Sequence, residues 1–186
     1  MGRPSKRAER RVQILEAFAR VLADHGYAGA TIAAVASAAE VAPGLVHHHF
    51  ESKEDLLSSL LQRLVDDFRR RTRGFEDETA NPAGVFAYVN AALVLDERAD
   101  VIAAKCWVGV LAEALRNPTL FARVRRMLDT EVDVIAERSR GALGSREASA
   151  VLAFVLGALV LGAFAPRKTA GFAAPAARVL IDALAR

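Results

Sequence analysis

The chain is poor in the residues that carry most enzyme and metal chemistry. It has a single cysteine, Cys106, in 186 residues. That excludes an intrachain disulfide framework and fits a reducing compartment. Histidine is confined to positions 25, 47, 48 and 49, with none from residue 50 to the end. A body with a lone thiol, no histidine and no motif pairing its acids offers neither an activated nucleophile nor an acid–base couple. No catalytic residue is therefore expected, and no enzyme. Three adjacent histidines do not make a metal site either. Consecutive helical residues point about 100° apart, ligands that face one another need a spacing of three or four, and no cysteine is near enough to complete a zinc set. No metal and no cofactor is expected. The N-terminus is charged and lacks an apolar core, so no secretory signal is visible and a cytoplasmic location is expected. A net charge of +3 is too small to argue for nucleic acid by itself.

What the chain does have is unevenly distributed. Arg3, Lys6, Arg7, Arg10 and Arg11 crowd the first eleven residues against Glu9 alone, an arm suited to following a phosphate backbone or reaching into a minor groove. Taken by itself, such a run can equally be a solvating tail. A first helix is expected from about Ser5 to His25, with Val12, Leu15, Phe18 and Leu22 at helical spacing and Gly26 just past its end. Tyr27 reads as core of a small head.

Residues 31 to 53, TIAAVASAAEVAPGLVHHHFESK, organise the rest. Thr31 suits an N-cap, and Ile32, Val35 and Ala36 then fall on one helical face. Pro43 and Gly44 open a second helix, because proline is tolerated in a first turn. Leu45, Val46 and Phe50 supply its buried side, leaving His47 and His48 outward. Ser52 caps a further helix, with Asp55 three residues on as a weak capping box. The product is a helix-turn-helix whose second helix can enter a major groove.

In register, Gly26-Tyr27, Ala30-Thr31-Ile32-Ala33, Ala36, Ala39, Val41, Gly44, His49-Phe50 and Ser52-Lys53-Glu54 resemble the DNA-binding head of TetR-family regulators. The spacing from Thr31 to Phe50 is similar to that of the family's choline-to-betaine-pathway repressors. The resemblance implies that Pro43, Gly44, His47 and His48 face the groove, that His49 is a further backbone contact, and that Lys53 meets a phosphate. Thr31 adds a hydroxyl, and the helix N-termini near Ile32 and Lys53 offer free N–H groups to phosphates; Arg3 and Lys6 represent the arm. His47 and His48 stand where many members carry an aromatic. Their charge changes around pH 6 to 7, so DNA affinity is expected to strengthen on mild acidification.

From Lys53 to about Arg73 a long helix carries acids early and a basic run late, in the sense the helix dipole favours. Gly74 to Pro82 is a polar break. Helical patterns follow at about 82 to 95, 98 to 115 and 118 to 140, broken at Asn117-Pro118. The stretch Trp107 to Leu120 also looks like the corresponding part of many family members. Ala148 to Pro166 has no charge and is long enough to be a membrane span, but also reads as a buried helix. With a last helix at about 171 to 185 it resembles the family's paired dimer helices, which implies an interface including Phe154, Gly157, Leu161, Gly162, Val179 and Leu180. The body's helices can surround a small molecule, with Phe86, Asn90, Trp107, Leu111 and Glu113 as candidate lining; each is also plausible as packing alone. Cys106 reads as a buried small apolar residue, although a redox-sensing thiol stays open.

The expected fold is all-α, with about nine helices: a three-helix helix-turn-helix head over residues 1–53 and a helical ligand-binding and dimerisation body over 54–186. The expected function is a sequence-specific DNA-binding regulator, a repressor released from its operator by a small molecule. Its partners would be a roughly palindromic double-stranded operator, a second copy of the chain and an effector that nothing in the sequence identifies, with no membrane. The rival reading is a DNA-anchored interaction protein whose apolar body docks a protein partner.

Overall fold

The computed structural model describes residues 6–73, 82–93 and 99–186, and among these every regular element is an α-helix. In order they are α1 (Lys6–Gly29), α2 (Ile32–Ala38), α3 (Pro43–His49), α4 (Lys53–Arg73), α5 (Pro82–Leu93), α6 (Ala99–Ala114), α7 (Pro118–Arg138), α8 (Ser145–Phe164) and α9 (Pro166–Leu184). Arg3 and the polar break after Arg73 lie outside the described residues.

The local signals act where the sequence places them. Gly26 breaks α1 with φ +67°, a conformation that costs an L side chain energy and glycine little. Thr31 caps α2, its Oγ1 accepting from Ala34 N at 3.1 Å. Pro43 occupies the first turn of α3. Asn117 caps α7 by accepting from Leu120 N at 3.0 Å.

Two apolar clusters hold the helices together. The first joins Ile14, Phe18 and Leu22 of α1 with Val35, Val46, Phe50 and the leucines of α4, and continues into Cys106, Trp107 and Val110 of α6 and Val124 of α7. The second joins Val85, Tyr88 and Val89 of α5 with Ile135, Val151, Val155, Ala177 and Ile181. The expected boundary after Lys53 coincides with the start of α4, yet the core does not divide there. Ion pairs cross the same line: Arg63 to Glu16 at 2.8 Å and Lys105 to Asp24 at 3.7 Å.

The uncharged stretch forms most of α8, which is long and apolar enough to cross a membrane by length and composition. It is neither wholly buried nor wholly exposed. Ala148, Val151, Val155, Ala158 and Gly162 face inward, while Gly157, Val160, Leu161 and Phe164 face out.

Candidate nucleic-acid interface

The head is built by packing one side of α2 and α3 onto α1 and α4 and leaving the other side bare. Val35 and Ala36 of α2, Val46 of α3 and Phe50 beyond it are buried. Three side chains fasten this unit from positions that sequence reasoning did not single out for it. The Arg11 guanidinium donates to His49 O at 2.5 Å and to Ser59 Oγ at 2.9 Å, and lies 4.1 Å from the Phe50 ring centroid. Gln13 Nε2 donates to Ala39 O at 2.7 Å, tying α1 to the end of α2. Arg20 donates to Ala38 O at 3.5 Å. Arg11, expected in a phosphate-following arm, is thus a brace inside the head. Lys6, Arg7 and Arg10 remain exposed, on the first turns of α1 rather than on an extended segment.

The turn between α2 and α3 closes α2 by two hydrogen bonds, Val41 N to Ala36 O at 3.0 Å and Glu40 N to Ser37 O at 3.1 Å. This is a Schellman closure, which needs a left-handed residue at its second position. Glu40 fills it at φ +54°. The turn thereby fixes the angle at which α3 leaves α2.

On the bare side stand Pro43, Gly44, His47 and His48, all exposed on α3. A Cβ built on Gly44 would meet nothing within 4 Å, so the protein itself does not require glycine there. A bare backbone at that point suits close approach by a second body. His49 differs from the expectation for it. The residue is 8% exposed, its ring edge-on to that of His48 at 5.2 Å between centroids. Burial, with His48, Arg7, Arg11 and Arg10 nearby, holds its pKa below the usual imidazole value. It serves as a wall of the head, and its carbonyl is already taken by Arg11.

Lys53 begins α4 with its ammonium 4.0 Å from the Tyr27 ring centroid and 3.4 Å from Ala28 O. Tyr27 in turn donates to Glu54 Oε1 at 3.2 Å, and burial together with that carboxylate pushes its pKa up to about 12. Lys53 is therefore pre-positioned at a helix N-terminus, where its charge adds to the dipole. Thr31, exposed at the start of α2, keeps its hydroxyl hydrogen to donate outward.

In the body, an apolar cavity of about 40 Å³ lies between α4, α5, α6, α7 and α8. Its lining includes Phe68, Trp107, Met127, Leu152, Leu156 and, as its one charged group, Glu131. Of the five residues expected to line it, Trp107 alone does. Phe86 packs in the second cluster under the Arg178 guanidinium at 4.7 Å; Asn90 is half-buried outside the lining. Leu111 packs with the first cluster, and Glu113 is close enough to Tyr27 to act on it electrostatically. Helical spacing gave the apolar positions of α5 and α6 but not which of them meets the gap. Glu131 accepts from the Tyr88 hydroxyl and lies 3.6 Å from Arg69 of α4. Among the described residues no group of histidine, cysteine and acids is arranged to hold a metal.

Of the six residues expected at a dimer contact, Leu161 and Val179 are 50% and 70% exposed, and Gly157 faces open space. Phe154 and Leu180 are half-buried, and Gly162 is buried within the protomer.

Residues 14–60 match the family model for bacterial regulatory proteins of the tetR family. The regulator BetI of Paraburkholderia phytofirmans is 27% identical over 168 residues, covering 88% of this chain and 86% of that one. The repressor KstR2 of Mycobacterium tuberculosis H37Rv is 37% identical over 73 residues, 39% of this chain and 36% of that one. A transcriptional regulator from Rhodococcus sp. Rha1 has the same fold with a TM-score of 0.83 at 26% identity, over 94% of this chain and 95% of that one. The match to BetI covers residues well beyond the head.

Proposed function

Because the chain belongs to the TetR family of bacterial regulators, we propose that it is a cytoplasmic repressor that binds a roughly palindromic operator as a homodimer and leaves it when a small molecule enters the body. The observation that carries the DNA reading is the bare face of α3: Pro43, Gly44, His47 and His48 exposed on a helix anchored from behind by Val46 and Phe50. Such a helix presents base-reading side chains, while Thr31, Lys53 and the cations at the start of α1 hold phosphates.

The second copy is supported by the apolar side chains left outside on the last two helices. Val160, Leu161, Phe164, Phe172 and Val179 are all exposed, and covering them between two protomers would place two heads on one face of a duplex. The effector is supported by the cavity. At about 40 Å³ it has room for little more than ordered water. An effector-sized molecule must therefore part its walls, and one wall is Val65 and Phe68 of α4. Since α4 begins at Lys53, moving it changes the separation of the heads.

Footprinting on the DNA flanking the protein's own gene tests the head. Gly44→Leu should leave the melting temperature unchanged or slightly raised, because the space is open, yet weaken binding. Lys53→Ala should weaken binding on all sequences and lower the salt slope by about one, while His47→Ala should also change sequence preference. Binding indifferent to all three changes would remove α3 and α4 from the interface.

A further inference from the structure

On the outer side of the cavity wall a second depression runs between α4 and α7, about 330 Å³ in volume. Ser58, Gln62 and Arg69 of α4 face Arg123 and Arg126 of α7 across it. No carboxylate is in its lining. Arg123 and Arg126 are one helical turn apart and both exposed, and like charges at that spacing repel. The nearby acid of α7 goes elsewhere, Asp129 pairing with Arg125 at 4.0 Å. Arg123 and Arg126 form no ion pair among the described residues.

The groove and the cavity are neighbours with a shared partition. Val65 and Met127 line both. The Arg69 side chain lines the groove, and its ion-pair partner Glu131 lines the cavity, at 3.6 Å. Arg69 is 44% exposed and Glu131 only 9%. The buried carboxylate must keep its cation, so the Arg69–Glu131 pair ties the groove to the cavity. A neutral apolar molecule would need only the cavity, and a small anion only the groove.

We infer that the two form one site for an amphipathic anion: a carboxylate or phosphate head held by Arg123 and Arg126, with an apolar tail entering past Val65 and Met127. This rests on the effector reading above and specifies its chemistry. Guanidinium groups suit either head, because both offer two oxygens to a planar fork. A bound head group clamps α4 to α7, so occupancy acts directly on the helix that begins at Lys53.

Trp107 is the chain's one tryptophan and lines the cavity, so its fluorescence reports the tail. The full chain is titrated below the micelle concentration with dodecanoate, dodecyl phosphate, dodecyltrimethylammonium and inorganic phosphate. One or both anionic amphiphiles should perturb Trp107 and saturate, which also tells the two head groups apart; dodecyltrimethylammonium and phosphate alone should not perturb it. In the R123Q/R126Q double variant, whose changed side chains are exposed, affinity should fall about tenfold or more with the melting temperature unchanged. Equal binding of the cationic amphiphile, no binding of either anionic one, or full affinity in the double variant would overturn the site. Operator footprinting in parallel separates the two claims. Saturable, arginine-dependent binding without operator release keeps the site and removes the effector role. Release by a compound indifferent to Arg123 and Arg126 keeps that role and removes the site.

Discussion

In the run His47-His48-His49 one imidazole is buried beside cations and two face solvent. The folded state holds His49 below its ordinary value of 6.5. The unfolded chain thus takes up the proton first, and stability intact above that value is lost as pH falls through it toward the folded pKa. Melting temperature should therefore drop between about pH 7 and pH 5, and His49→Gln should flatten that part of the profile; an unchanged slope in the variant would assign the loss elsewhere. His47 and His48 stand exposed on the bare side of α3 instead. Cys106 is quieter. Buried, with its thiol 3.3 Å from Ala19 O, it has a pKa pushed up to about 12, so almost no thiolate exists near neutrality. Alkylation should wait for unfolding; rapid labelling of the native protein would restore a sensing role. The apolar nature of Cys106 was readable because it sits in an apolar helical run. The bracing role of Arg11 was not, because its partners lie 38 and 48 residues away and no local pattern marks them.

The helix-turn-helix was readable as an element because its determinants are local: a cap at Thr31, a proline at Pro43 and apolar spacing between. The turn joining the two helices holds a residue the sequence did not flag. Glu40 occupies a left-handed conformation that glycine adopts more easily, so Glu40→Gly should leave the melting temperature unchanged or raise it, by up to about 1 kcal/mol in stability. Thr31→Ala removes the cap and should cost about 1 kcal/mol. Chemical denaturation measures both, and opposite signs are expected. α8 shows the limit of periodicity. Because apolar residues surround it, the hydrophobic pattern contains no phase, and which stripe faces inward is decided by α6, α7 and α9 packing against it. For the same reason the cavity lining escaped the sequence: α4, α7 and α8 supply most of it, and only assembly brings them together.

At the scale of the whole molecule the dimer is the open assembly question. Phe164 and Val179 are 79% and 70% exposed, large apolar groups left uncovered on the last two helices. In detergent-free buffer, sedimentation should give the mass of two chains, and Leu161→Glu with Val179→Glu should give one, with operator affinity much reduced. A wild-type chain that sediments as a monomer would leave that face to another partner. The core that runs from α1 and α4 into α6 and α7 bears on how the protein can be taken apart. The recognition unit shares its apolar interior with the sensing unit, so the two should melt in one calorimetric transition. A fragment ending at Lys53 would forfeit Leu56, Leu60, Cys106 and Val110 from around Ile14 and Phe18. Grafting this reader onto a foreign receptor would therefore require transplanting α4 and a surrogate for α6 with it.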